Sequence, residues 1–182
     1  MKIAAIAGST IPSETANSLQ VMKACQALAQ IGHDVTLLVP GSRDSSVDLL
    51  GHYGLQTGFP IEWLSSSSRR RFTWDSVHRA RALNADIIYS WFPQSAVFGL
   101  LSGLPVVFEI HIQPTGLFGP LWHCAFATLP GRKRLVSITR ARTFRRWTAC
   151  STESNTATGL PSSSIVKLIF PQATSSSSWS NC

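Results

Sequence analysis

Cysteine is sparse and scattered: Cys25, Cys124, Cys150 and Cys182 in 182 residues, with no C-x-x-C pair. That spacing gives little support to a disulfide framework or a structural zinc site. Long hydrophobic runs are missing too, and none approaches the roughly 18 apolar residues of a membrane span. Met1-Lys2 leads straight into the apolar segment Ile3–Ala7, so no secretory leader is expected and a cytoplasmic setting is the default. Two phosphate-binding fingerprints are absent. The sequence holds neither G-x-G-x-x-G nor G-x-x-x-x-G-K-[ST], which argues against a dinucleotide-binding oxidoreductase and a P-loop NTPase.

Acidic residues are few, nine against sixteen Lys and Arg, for a net charge of +7. Where the imbalance lies matters more than its size. Through Pro130 eight basic residues meet eight acidic ones, whereas from Gly131 onward eight basic residues meet Glu153 alone. Four arginines (Arg140, Arg142, Arg145, Arg146) open a stretch that then turns rich in Ser and Thr, with only Ile165–Phe170 reading as a strand. Such composition, without period, reads as a disordered or loosely packed tail. A cationic tail suits a membrane or RNA, but the platforms of a nucleic-acid module are missing, so no specific nucleic-acid partner is expected.

What is present is alternation. Lys2–Ala7 is a short apolar run entering Gly8-Ser9-Thr10, as a buried strand enters a loop. Asn17, with Gln20 three residues on, reads as the N-cap of a helix. Val21, Cys25, Leu28 and Ala29 share one helical face, and Gly32 closes it. Asp34–Val39 is the next strand, which completes a βαβ unit with a parallel sheet. Further strands are expected at Phe59–Leu64, Asp86–Ser90, Pro105–His111 and Arg134–Thr139. Helices are expected at Trp74–Leu83, Gln94–Ser102 and Gly116–Thr128, and Ser65–Ser68 with Arg69–Arg71 reads as a loop. The fold class that follows is α/β, a doubly wound, mostly parallel, Rossmann-like sheet over residues 1–139, followed by an irregular tail at 140–182.

In such a sheet ligands bind at the carboxyl ends of the strands, beside helix N-termini whose free N–H groups favour phosphate or hydroxyl oxygens. The loop Gly8–Thr15 with the following helix start is therefore the first candidate, through Gly8, Ser13, Glu14, Thr15, Ala16 and Asn17. Here a glycine lets a ligand approach the backbone. His111 ends a strand, where a neutral imidazole can hydrogen-bond a substrate. Glu109, two residues earlier, shares its face and is read either as orienting His111 or as bonding a loop. Arg69–Arg71 beside Phe72 and Trp74 could meet an anionic lipid surface or a charged acceptor, though a solvated loop is the commoner outcome. His33 reads as structural. His52, His78 and His123 have no credible metal spacing.

The opening segment MKIAAIAGSTIPSETANSLQVMKACQALAQIGHDVTLLVP resembles the amino-terminal segment of family 4 glycosyltransferases, with their helix of the form A-N-x-x-Q-V-x-K and the following G-H-x-V-x-L. ADIIYSW (Ala85–Trp91), PVVFEIH (Pro105–His111) and RLVSIT (Arg134–Thr139) resemble later landmarks in the same order. The resemblance implies the acceptor-side half of a two-domain GT-B enzyme, which transfers a sugar with retention from a nucleotide-sugar donor. It implies no metal and no bound prosthetic group, a polysaccharide, sugar or glycolipid acceptor, and peripheral contact with the inner face of the membrane. His111 would lie near the transferred sugar. The paired glutamates seven residues apart that the donor half carries are missing, since Glu14, Glu62, Glu109 and Glu153 have other spacings. The chain is therefore expected to be a truncated transferase, inactive alone, with residues 140–182 out of frame or disordered. The alternatives are a non-catalytic sugar or phosphate-binding module completed by a separate donor subunit, and a membrane or RNA binder driven by its cationic tail.

Overall fold

The computed structural model of the chain describes residues 1–65, 67–110, 128–129 and 135–139. Six strands form one sheet: β1 (Lys2–Ile6), β2 (Asp34–Pro40), β3 (Ile61–Leu64), β4 (Ile87–Ser90), β5 (Val106–Ile110) and β6 (Leu135–Thr139). Their spatial order is β3-β2-β1-β4-β5-β6, and every neighbouring pair is parallel. Among the described residues four helices join β1 to β5 in turn: α1 (Ala16–Gln30), α2 (Leu49–Tyr53), α3 (Arg69–Ala82) and α4 (Pro93–Leu101). This is the doubly wound, Rossmann-like sheet that the alternation implies.

β1 lies at the centre and shows why both faces must be covered. Because side chains alternate along a strand, Ile3, Ala5 and Ala7 enter one apolar layer with Val21, Met22 and Cys25 of α1 and with Tyr53. Ala4 and Ile6 enter the opposite layer with Phe72, Val77 and Ala80 of α3 and with Ala96 and Leu100 of α4. A strand buried on both faces reads as an unbroken apolar run, as Ile3–Ala7 does. On the second face α4 sits very close to the sheet. A Cβ on Gly99 would stand 2.9 Å from Ile88 Cδ1 and 3.0 Å from Val106 Cγ2, so any larger residue there would push these two buried side chains aside.

Three expectations are corrected. The N-cap of α1 is Thr15, whose hydroxyl accepts from the Ser18 N–H, and Asn17 stands inside the first turn. Gln20 accordingly makes no capping box, and its side chain reaches across to Glu109 at 3.1 Å. Arg69–Arg71 is not a loop but the first turn of α3, capped by Ser68, which accepts from the Arg71 N–H. The serines that suggested a loop supply the cap, and arginine is a good helix former once the turn is nucleated. The short α2 was not anticipated. It is capped by Asp48, which takes the N–H groups of Leu50 and Gly51. The end of α1 is as read: Gly32, at φ +90°, and His33 return N–H bonds to Ala29 and Leu28, a Schellman closure. The expected helix Gly116–Thr128, except for its last residue, and the tail at 140–182 lie outside the described residues.

Candidate functional site

The connections from the carboxyl ends of β1 and β4 leave in opposite directions, towards α1 on one side of the sheet and α4 on the other. A crevice forms at such a reversal, and the structure has one there, of about 360 Å³. Gly8, past the end of β1, and Asn17, in the first turn of α1, line one wall. Pro40 closes β2. Ser68, Arg69 and Phe72 come from the start of α3, and Trp91 with Phe92 follows β4.

The polar and apolar halves of this cleft have separate origins. The Phe72 and Phe92 rings stack at 6.0 Å and 25°, and Trp91 packs against Tyr89 at 4.7 Å. On the other side Asn17 is held by a 2.6 Å bond from its Nδ2 to the buried Ser9 hydroxyl. Arg69 is exposed, and among the described residues no carboxylate pairs with it. Two helices begin at the cleft, α1 and α3, so their N-terminal partial charges add to that of the guanidinium. Such a site can take an anionic or hydroxyl-rich group against an aromatic wall.

The residues expected from the opening loop divide. Gly8 and Asn17 line the cleft, whereas Ser13, Glu14, Thr15 and Ala16 do not. Ser13 and Thr15 work within the loop. The Ser13 hydroxyl donates to Thr15 Oγ1 at 3.1 Å and accepts from the Thr15 N–H, and the buried Ser18 hydroxyl donates to the carbonyls of both residues. Tyr53 clamps the same loop, accepting from the Ser13 N–H at 2.7 Å and donating to its carbonyl at 3.1 Å. Glu14 and Ala16 are exposed.

Glu109 holds side chains from two neighbouring elements. It receives Tyr89 Oη at 2.7 Å and Gln20 Nε2 at 3.1 Å, which ties β5 to β4 and α1. Burial, and then the neighbouring Glu109 carboxylate, push the Tyr89 phenol well above the usual tyrosine range, so it stays protonated and remains a donor. Trp91 Nε1 is buried and has no hydrogen-bond partner among the described residues, a rare state for an indole N–H. His111 and His123 lie outside the described residues. His52 packs on Tyr53, and His78 on Trp74; neither these nor His33 lines the cleft. Among the described residues no group of three or more His, Cys, Asp or Glu is placed to hold a metal.

Pro40, Ser68, Trp91 and Phe92 were not picked out as site residues. Their signal was positional, because each follows a strand or opens a helix at the carboxyl edge of the sheet. Arg69 and Phe72 stand out in the sequence by charge and aromaticity, but nothing local marks them as neighbours of Gly8.

Comparison with known proteins gives a family and distant structural likenesses. The sequence profile described as Glycosyltransferase Family 4 matches residues 19–157, well over half of the 182 residues. No curated protein sequence matches significantly. Among solved structures, the Streptomyces sp. SF2575 glycosyltransferase SsfS6, complexed with thymidine diphosphate, is 14% identical with a TM-score of 0.44. That alignment covers 74% of this chain and 46% of that one. The spinosyn rhamnosyltransferase SpnG, also complexed with thymidine diphosphate, is 16% identical with a TM-score of 0.46, over 78% of this chain and 46% of its own. The chain thus spans about half the length of either transferase.

Proposed function

This chain belongs to glycosyltransferase family 4, and from that premise we propose that it provides the acceptor-side half of a nucleotide-sugar-dependent glycosyltransferase. Transfer is to a polysaccharide or lipid-linked acceptor with retention of configuration. The observation that carries the reading is the cleft at the sheet's reversal point, where Gly8, Asn17 and Arg69 face an aromatic wall of Phe72, Trp91 and Phe92. Aromatic faces suit the C–H faces of a sugar ring. The guanidinium and the α1 and α3 N-termini suit a phosphate, whether of the acceptor or of the departing nucleotide. His111 would act near the transferred sugar, with Glu109 positioning the end of β5. Transfer requires donor and acceptor to be held together in one closed cleft, so this half alone is proposed to bind without transferring, in a cytoplasmic setting.

Gly8 offers the sharpest test. Its φ lies outside the left-handed region, and a Cβ would meet Phe92 Cδ1 at 3.9 Å, an ordinary contact. Gly8→Val should therefore fold with an unchanged melting temperature while its side chain projects into the cleft. Titration with lipid-linked or polysaccharide acceptor fragments, followed by NMR shifts of the indole N–H signals, should show saturable binding that Gly8→Val weakens at least about tenfold. Binding that Gly8→Val leaves intact would move the site elsewhere. Supplying a separate family 4 donor domain with its nucleotide sugar should then restore measurable transfer. Acceptor binding without any transfer would leave a non-catalytic sugar-binding module.

A further inference from the structure

Two polar atoms at the cleft are set for opposite partners, and no contact among the described residues uses either. Asn17 is exposed in the first turn of α1 and lines the cleft. Its amide Nδ2 donates to the buried Ser9 hydroxyl at 2.6 Å. That bond fixes the amide plane and leaves Oδ1, which can only accept, as the atom a ligand meets.

Trp91 supplies the reverse. It is half-buried and lines the same cleft. Its Nε1–H, which can only donate, is shielded from water and lacks a partner among the described residues. A buried donor left unbonded weakens the fold, so its presence beside a cleft points to a partner that arrives from outside. The ring is well supported. It packs against Tyr89 at 4.7 Å, the Tyr89 hydroxyl donates to Glu109 at 2.7 Å, and Gln20 of α1 donates to the other carboxylate oxygen at 3.1 Å. Trp91 also packs on the apolar layer that α1 covers. Phe72 and Phe92 belong to the opposite layer, the one covered by α3, whose first residue is Arg69.

We propose that Asn17 and Trp91 are the specificity-determining pair of the cleft. They read two hydroxyls of one sugar ring, Asn17 Oδ1 accepting from one and Trp91 Nε1–H donating to the other after a small turn of the indole. A phosphate or carboxylate, whose oxygens only accept, would satisfy Trp91 but set its charge against Asn17 Oδ1. A hydroxyl both donates and accepts, so it suits both residues. The sheet then divides the cleft, with neutral hydroxyls on the α1 side and Arg69 left for an anionic group on the α3 side. This inference rests on the sugar-binding reading above and adds to it the atoms that choose the sugar.

The test uses the full isotope-labelled chain and three methyl pyranosides (glucoside, mannoside and galactoside), then the monodeoxy forms of the tightest binder. The Trp91 indole signal, assigned by its loss in Trp91→Phe, should move downfield at saturation, as an N–H does on gaining a hydrogen bond. Two of the deoxy sugars should bind about tenfold more weakly than their parent. Asn17→Leu should erase one of these penalties and Trp91→Phe the other. Asn17→Asp, whose carboxylate still accepts, should keep both, and circular dichroism melting checks the fold of each variant. Penalties that survive both Asn17→Leu and Trp91→Phe, at a site that Gly8→Val still blocks, would overturn the pair and keep the sugar-binding reading. Saturation of the Trp91 signal by inorganic phosphate alone would assign the donor to an anion and overturn the pair equally. Absence of binding by every pyranoside would also overturn it, and acceptor fragments that still bind and still respond to Gly8→Val would uphold the reading beneath it.

Discussion

Tyr53 shows how much a single hydroxyl can organise. It is 4% exposed, lies forty positions from Ser13, and makes both an accepted and a donated bond to that residue's backbone. These two bonds hold the loop that turns Gly8 and Asn17 towards the cleft. Tyr53→Phe keeps the ring packing and removes both bonds, so it should cost about 1–2 kcal/mol in urea unfolding. Acceptor affinity should fall further than the global loss explains, because the loop is loosened locally. A variant as stable as the parent would mean that water replaces the hydroxyl. The Ser-Thr character of residues 13–18 was plain in the sequence, but its use was not. Hydroxyls that cap and staple a loop are the same residue types as hydroxyls that bind a ligand, and only the partner's identity separates the two uses.

At the level of elements, α3 is tied to the edge strand β3 by a two-pronged contact from Arg79 to Glu62, at 2.6 and 2.8 Å. The guanidinium's hydrogen bonds hold the Glu62 carboxyl below its ordinary value of 4.5. A carboxyl lowered in the fold contributes stability above its ordinary pKa and loses it as pH falls through the folded value. Glu62→Gln should therefore cost less than about 1 kcal/mol at neutral pH, given that both side chains are partly solvated. The difference from the parent should start to shrink near pH 4.5 and vanish at lower pH. A denaturation series in pH would check this, and a gap that persists in acid would assign the effect to packing. The same helix shows why its start was misread. Three adjacent arginines after serines look like solvated loop, yet the Ser68 cap and the burial of Phe72, Val77 and Ala80 against the sheet extend the helix back to Arg69.

For the molecule as a whole, the two apolar layers share one central strand, so β1 cannot be exposed without opening both. Cys25 reports on this. Its side chain is fully buried in the α1 layer, and burial pushes its thiol far above the usual cysteine range. Alkylation at Cys25, followed site by site by mass spectrometry, should proceed at the rate of global unfolding and accelerate with urea in parallel with loss of helical circular dichroism. Labelling much faster than unfolding would reveal that α1 opens alone.

The sequence by itself determined the fold class. Ile3–Ala7, Val35–Val39 and the 3.6-residue face of α1 carry their periods locally, and an apolar run without alternation requires cover on both faces. It determined the family for the same reason, since the resemblance lies in contiguous stretches. It also pointed to the carboxyl edge of the sheet as the place of a site. Only the tertiary structure decided which residues meet there. Gly8, Pro40, Arg69 and Trp91 come from four segments whose proximity depends on strand order, and no local pattern encodes that β1 lies between β2 and β4.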